Sequence, residues 1–548
     1  MASFAFQRRR ITSLSTIAVT GFISTLLTPS DGFADSVRAP VVLEGKPTAN
    51  AKIVGNWQQS ADGLVGSGLT SSVEATLAVG PGDFTVVARV KVDDVNAVRG
   101  GLVIDDVSDF GIATPANPRI YVRGFLFGDI TQEISPADRH ITAGEVFELR
   151  GERRGDMTSY YLNDALMYSI PYTSDRTFGK VAIRAGQANM SVIDFWFEGS
   201  TESLEGRLSP YERTHDTLPD SVDVFTAGED GYHTYRIPAM VVTNAGTILA
   251  FAEGRKNSAA DHGDVDLVLK RSVDGGRSWE PMRMIYEEGD TERITIGNPV
   301  PVVDRNTGTI WLLFCRDNER VFVGHSTDDG MTWSPRREIT EHVKDLSWSK
   351  TIYTGPGHGV QMASGRLLVP SYHGNVGAGS SSYMIYSDDA GVTWTRGASI
   401  EPGTGEPTAA VLSDGRVMMN SRTPNRTWNR RVTISNDGGE TWGAPRLQEE
   451  HIEIACEGAL LDRISETEPQ LLLFANPDSH RRERMTVQLS TDDGASWTDK
   501  LLIYEGSSAY SDLTQTPDGN FAVLFERDIY KRITFTPFRL SDFPSRQQ

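Results

Sequence analysis

The pattern Ser-x-Asp-x-Gly-x-(Ser/Thr)-Trp occurs five times in the C-terminal part of this chain: SVDGGRSW at Ser272, STDDGMTW at Ser326, SDDAGVTW at Ser387, SNDGGETW at Ser435 and STDDGASW at Ser490. The copies recur at roughly 50 to 60 residues, which is the size of a propeller blade. Each copy reads as a turn device. The Asp accepts bonds from backbone N–H groups, the Gly permits a left-handed bend, and the Trp covers the hairpin.

A second repeat lies between the boxes. A turn glycine precedes an apolar strand in NAGTILAFAEGR, NTGTIWLLFCR, ASGRLLVPSY, SDGRVMMNSR and PDGNFAVLFE, and each strand runs into Arg255, Arg316, Tyr372, Arg422 or Glu526. If these are equivalent inner strands of successive blades, their terminal side chains meet at one end of the propeller, near its axis. The following strand returns antiparallel to the box (DLVLKRS, VFVGHS, SYMIYS, RVTIS, MTVQLS), so the boxes belong on the opposite face. The most visible motif is therefore structural.

At 548 residues the chain exceeds what one core organises, so two domains are expected. With 26 Pro, 52 Gly and many short β-branched and aromatic runs, the composition points to an all-β, turn-dense protein. A net charge of -20 without a long basic stretch excludes nucleic acid as a partner. It also means that an anionic ligand would have to be held by a few concentrated arginines.

Arg8, Arg9 and Arg10 precede an apolar run from Ile11 to Leu27 and the small-residue stretch Gly32-Phe33-Ala34, which predicts a cleaved secretory leader over residues 1–34. That run is short and carries several Ser and Thr, which argues against stable membrane insertion. A secreted or periplasmic chain is expected. Cys315 and Cys456, both in apolar contexts, read as buried thiols rather than a disulfide framework.

Alternating strands between about Val41 and Gly199 (DFTVVARVKVDD, GGLVIDD, RIYVRGFLFGD, TSYYLNDALMYSI, KVAIRAG, SVIDFWFEG) predict a β-sandwich over residues 35–200. Its architecture is similar to the lectin-like jelly rolls that accompany secreted glycosidases. Residues 201–220 are polar with two prolines and read as a linker, and residues 221–548 as the propeller.

The boxes, with Tyr235-Arg236-Ile237-Pro238 before them and Ala509-Tyr510-Ser511-Asp512-Leu513 after them, resemble the exo-sialidase family of bacteria and animals. GNPVPVVD, TGPGHGVQ and LFERDIYKRITF agree with it. The resemblance implies a six-bladed β-propeller, sialylated glycans as partners, and retaining hydrolysis without metal or other cofactor. It implies that Arg236, Arg422 and Arg482 bind the substrate carboxylate. Guanidinium chemistry suits that role, because its planar charged fork meets a carboxylate bidentately. Arg481 and Arg484 flank Arg482, which is selected by counting back from the Met485-Thr486-Val487 strand.

Tyr510 matches the family's nucleophile and Glu406 the carboxylate that takes its proton. A phenol with a pKa near 10 needs such a base. Sialic acid bears a carboxylate on its anomeric carbon, so an ionised Asp or Glu attacking there would meet like charge, whereas a neutral Tyr would not. The family is a recognised exception to the paired-carboxylate rule of glycosidases. Pro407 and Thr408 stand where relatives often carry longer polar residues, and Glu401 is the fallback for Glu406. Asp261 matches the acid/base, with Asp264 and Asp266 as neighbouring competitors. Glu526 matches the residue that braces Arg236, and Arg255 and Tyr372 are expected to line the sugar pocket. His233, His262 and His358 show no ligand spacing on one element, so no metal site is expected. A transglycosylating relative would use the same residues; a non-catalytic binding propeller would lack Tyr510, Glu406 or Asp261.

Overall fold

The computed structural model describes residues 37–546 except 96–99, 105–107, 114–118, 125–129, 172–178, 205–214, 349–350, 375–378, 424–427, 464–469 and 498. The leader expected over residues 1–34 lies outside the described residues, as does much of the expected linker.

Strands between Val37 and Ser203 form one 12-stranded antiparallel sheet wrapped about a single core that includes Val73, Phe84, Val90, Phe110, Ile183 and Phe197. KVAIRAG and SVIDFWFEG, read above as two strands, are one, Lys180–Ser203. It pairs with the still longer Gly63–Val92 in several registers. Gly186, at φ 78, takes up the bend where a residue with a Cβ would break the strand.

Six antiparallel blades follow. The first comprises Thr234–Val242, Ile248–Arg255, Val265–Ser272 and Arg283–Tyr286. The next three repeat this order, beginning at Ile296–Val303, Ile352–Thr354 with Val360–Gln361, and Gly405–Val411. The fifth runs Ala459–Asp462, Leu472–Pro477, Glu483–Ser490 and the first half of Asp499–Gln515. The second half of Asp499–Gln515 opens the sixth blade, which continues through Phe521–Arg527 and Arg532–Phe538. Its outermost strand is Val222–Thr226, from the start of the propeller, so the two ends of the ring are hydrogen-bonded together.

The strands that follow the turn glycines are second in each blade, not innermost. The strand before the glycine, such as Thr234–Val242, carries the pattern that faces the axis. The face assignment is as the sequence predicts: Arg255 pairs with Val265 at one end of a hairpin while Ile248 pairs with Ser272 at the other.

Each box is built alike. In the first, Ser272 Oγ donates to Asp274 Oδ1 (2.8 Å), and that carboxylate accepts from Ser278 N (2.9 Å) and Ser278 Oγ (2.6 Å). The same set recurs around Asp328, Asp389, Asp437 and Asp492. The Trp covers more than its own hairpin, because it packs across the seam to the preceding blade: Trp279 on Phe535, Trp333 on Phe251, Trp394 on Trp311.

The hydrogen bonds from Ser278 hold the Asp274 carboxyl at about 2, those from Thr332 hold Asp328 at about 2, and Asp437 stands at about 2 because its bonds outweigh burial. A carboxylate depressed in the folded state contributes stability above its unfolded value, about 3.9, and loses it as pH falls through the folded value. We therefore expect the box carboxylates to contribute their stability in full above about pH 5 and to lose it between about pH 4 and pH 2. Asp437→Asn should cost about 1 kcal/mol or less at pH 7, since the carboxylate is solvent-screened, and should reduce that acid limb, as calorimetry across the pH range would show. An unchanged limb in this variant would remove the boxes from the acid response.

Candidate active site

At the end of the blades away from the boxes, an open cavity of about 530 Å³ lies across the propeller axis. Arg236, Arg255, Asp261, Tyr372, Glu406, Arg422, Arg482 and Tyr510 all line it. The sequence places these residues up to 274 positions apart, from Arg236 to Tyr510. The fold brings them together because each stands at the same end of its blade.

A repeated backbone device aims them. The innermost strands of four blades carry a one-residue bulge at this end, between Arg236 and Ala239, Gly297 and Val300, Gly405 and Pro407, and Ser508 and Ser511. Ile237, Asn298 and Glu406 have φ values of 57, 55 and 36 there, and a proline follows each of them. Positive φ is an outlier for a branched residue such as Ile, and strained backbone of this kind re-aims side chains next to functional sites. Pro407 is the counterpart of Pro238 and Pro299. It is tolerated because the innermost strand has a free edge. Glu401, the fallback, is exposed and does not line the cavity.

Tyr510 Oη donates to Glu406 Oε1 at 2.6 Å, and Arg422 Nη1 donates to Glu406 Oε2 at 2.7 Å while lying 3.4 Å from the phenol oxygen. Tyr510 and Glu406 are both buried. Burial first, and then the Glu406 charge, hold the phenol well above its ordinary pKa, against the pull of Arg422 and Arg482. The phenol is neutral, with an acceptor already in place.

The arginines are held from behind. Glu526, fully buried, accepts Arg236 Nε (2.6 Å) and the bulge N–H of Ile237 (2.8 Å) on one oxygen and the N–H of Tyr510 (3.2 Å) on the other. Arg236 also lies 3.9 Å over the Tyr530 ring. Arg482 donates to Tyr530 Oη (2.7 Å) and Ala455 O (2.6 Å). Its flanking competitors point elsewhere, Arg481 to Glu483 and Arg484 to Glu505.

Asp261 sits on the rim with 78% of its side chain exposed, and its Oδ1 accepts Arg255 Nη1 at 2.9 Å. Desolvation at the cavity wall pushes its carboxyl up, but Arg255, Arg236 and Arg482 outweigh this and hold it below the ordinary range. Asp266 is engaged by Tyr232 Oη (2.6 Å), and neither it nor Asp264 lines the cavity. Arg316 leaves the site to bond Glu288 and Asp317. His262 lines the cavity, whereas His233 bonds Thr234 and His358 is buried against Asp512. Among the described residues, no three His, Cys, Asp or Glu side chains gather as a metal site.

Glu253, Tyr353, Asn298, Asn318 and Tyr530 also line the cavity and were not singled out from sequence. Glu253 accepts Arg255 Nε and Nη2 (3.0 and 2.7 Å) on one oxygen and Asn298 N (2.9 Å) on the other. It does for the first and second blades what Glu526 does for the sixth and first. Tyr353 stacks on Tyr372 with ring centroids 4.3 Å apart.

A family model described as a BNR repeat-like domain matches residues 246–523. The chain is 31% identical over 333 residues to a sialidase of Micromonospora viridifaciens, covering 56% of this chain and 51% of that one. It is 31% identical over 355 residues to a sialidase of Bacteroides fragilis, covering 59% and 65% respectively. Sialidase-3 of Mus musculus is 30% identical over 397 residues, 58% of this chain and 94% of that one. The chain thus spans between half and two thirds of these bacterial relatives and nearly all of the mouse protein. A solved structure, the Hadza microbial sialidase Hz136, has the same fold at a TM-score of 0.55 and 23% identity, over 87% of this chain and 97% of that one.

Glu526→Ala should leave the Arg236 charge buried without its partner and cost about 3–5 kcal/mol, with Glu526→Gln losing less because the amide oxygen still accepts a bond. Denaturant unfolding of the two variants checks this; equal and small losses would mean that Glu526 does not brace Arg236.

Proposed function

We propose that this chain, which belongs to the BNR-repeat sialidase family, cleaves terminal sialic acid from glycans with retention, through a covalent adduct on Tyr510. The observation that carries this reading is the buried 2.6 Å contact from Tyr510 Oη to Glu406 Oε1, beneath a cavity lined by Arg236, Arg255, Arg422 and Arg482. Arg236, Arg422 and Arg482 would take the substrate carboxylate and fix the anomeric carbon over the phenol. As Tyr510 Oη bonds that carbon, its proton passes to Glu406, and Arg422 and Arg482 offset the negative charge that develops on the oxygen.

The bond to the leaving oxygen breaks as Asp261 protonates it. Ligand-free, Asp261 is depressed by the arginines, which disfavours an acid. A bound carboxylate offsets those same arginines and lets its pKa rise, so substrate binding arms the acid. In the second half Asp261 deprotonates water, which attacks the anomeric carbon, and Glu406 returns its proton to the departing phenolate. Arg255 and Tyr372 would line the sugar pocket, with Tyr353 against Tyr372.

The sandwich carries none of these residues, and we read it as a lectin-like module that raises local concentration on glycan-rich surfaces. The leader places the chain outside the cytoplasm in this reading.

Incubation with a 2,3-difluoro sialic acid followed by peptide mapping should find the label on Tyr510, and label found only elsewhere would sink the assignment. Mass analysis of a sialyl-lactose digest should find free sialic acid; transfer to a second sugar would place the chain with the transglycosylating relatives. Asp261→Ala should keep most activity on activated aryl sialosides while losing about 10²-fold or more on natural linkages, because a good leaving group needs little protonation. Equal losses on both substrates would take Asp261 out of the acid role.

A further inference from the structure

Trp428 belongs to two apolar clusters at once. Its half-buried ring packs against the core of the N-terminal sandwich, and also against Ile237, Ile454, Cys456, Ala509 and Tyr510 beneath the cavity. It stands just before the strand Asn429–Ser435, at φ 63, a value that a bulky residue adopts only when its surroundings hold it there. No cavity-lining role falls to it.

Its connections lead to two of the three arginines. The carbonyl of Trp428 accepts Glu453 N at 3.0 Å. The Glu453 carboxylate accepts Arg430 Nη1 (3.3 Å) and Cys456 N (3.2 Å) and lies 4.0 Å from Arg422 Nε. Between them, Ala455, at φ 56, presents the carbonyl that holds Arg482 Nη2 at 2.6 Å. The indole meets His480 edge-on at 5.4 Å, and His480 leads directly into Arg481 and Arg482. Burial pulls the His480 imidazole down, while Asp478 and Asp156 push it back up; Asp156 lies in the turn between the sandwich strands Val146–Arg154 and Met157–Leu162.

We infer that Trp428 is a positioning residue through which the sandwich braces Arg422 and Arg482, so that the N-terminal domain supports the carboxylate end of the site as well as any ligand of its own. The physical reason is that residues 453–456 are joined to Trp428 by a backbone hydrogen bond and by packing, beside the Arg430 bonds to the Glu453 carboxylate and the Cys456 carbonyl. With the indole clamped on both sides, Glu453 and the Ala455 carbonyl stay fixed. Without the clamp, Arg482 loses a fixed acceptor and Arg422 is left with Glu406 alone. The inference rests on the reading of these arginines as the carboxylate site.

Arginine contacts to a carboxylate act in the bound ground state and the transition state alike, so loosening them raises KM more than it lowers kcat. In the full chain, Trp428→Ala should raise KM for an aryl sialoside and Ki for 2,3-didehydro-2-deoxy sialic acid about tenfold, with kcat falling less than about threefold. Trp428→Phe, which keeps a ring in the clamp, should recover most of the loss. Should the Ala variant not fold, Trp428→Leu against Trp428→Phe gives the same contrast. Unchanged constants, or a fall in kcat alone, would overturn the inference. If the unsubstituted chain itself does not bind the inhibitor, the reading of the arginines fails instead.

A second readout concerns docking alone. A protease site placed within residues 205–214 of the full chain allows the two parts to be separated after folding. On size exclusion they should elute together when Trp428 is present and apart in Trp428→Ala. Separation with Trp428 intact would show that the sandwich is merely tethered.

Discussion

Guanidinium groups repel one another, so Arg236, Arg422 and Arg482, which face one cavity, must each be held by acceptors of their own. Glu526 does this for Arg236, Glu406 and Glu453 for Arg422, and a backbone carbonyl with the Tyr530 hydroxyl for Arg482. The result is a wall whose outward ends remain cationic inside a chain of net charge -20. The acceptors are themselves pinned to backbone. Glu526 holds the N–H groups of Ile237 and Tyr510, so the support of one arginine also sets the bulge of the first blade and the height of the phenol. The arginine wall and the nucleophile are in this sense one construction.

Stability and chemistry occupy opposite ends of the same hairpins. The box end is held by short local hydrogen bonds, repeated five times, and by tryptophans that cross from blade to blade. The cavity end carries the bulges and the buried charges. Strain at Ile237, Asn298 and Glu406 is tolerable because the ring is closed by Val222–Thr226 pairing with Arg532–Phe538, and no blade can relax without moving its neighbours.

The repeats made the fold legible. A box ends one strand and a turn glycine begins another, so hairpin direction and the face opposite the boxes could be read directly, while the five copies fall one short of the six blades. What the repeat does not encode is which strand lies innermost, because both inner strands are apolar. The glycine-led strands were accordingly placed one position too near the axis. Glu253 was within reach: it stands seven residues after Gly246, as Glu526 stands seven after Gly519, and the two perform the same bracing. The more conspicuous Arg255 stands only two residues later. The Ile-Pro, Asn-Pro and Glu-Pro pairs carry the bulge signal too, and only their common position in three blades shows it. Tyr353 and Trp428 had no such signal, since an aromatic that lines a pocket or joins two domains looks in sequence like any core residue.

Asp261 shows how the same arginine cluster can serve two steps. An acid on an exposed rim would ordinarily titrate as a free carboxyl, already ionised at neutral pH, and Arg255 at 2.9 Å together with Arg236 and Arg482 makes ionisation easier still. That arrangement would be self-defeating if the site worked empty. In the proposed mechanism it works only when an anion is seated among the arginines, because their pull on Asp261 and their pull on the ligand are the same field, and satisfying one weakens the other. A ligand lacking the carboxylate would therefore lose binding and also leave the acid unprotonated, so selectivity for the anionic sugar is built into the proton transfer as well as into the pocket.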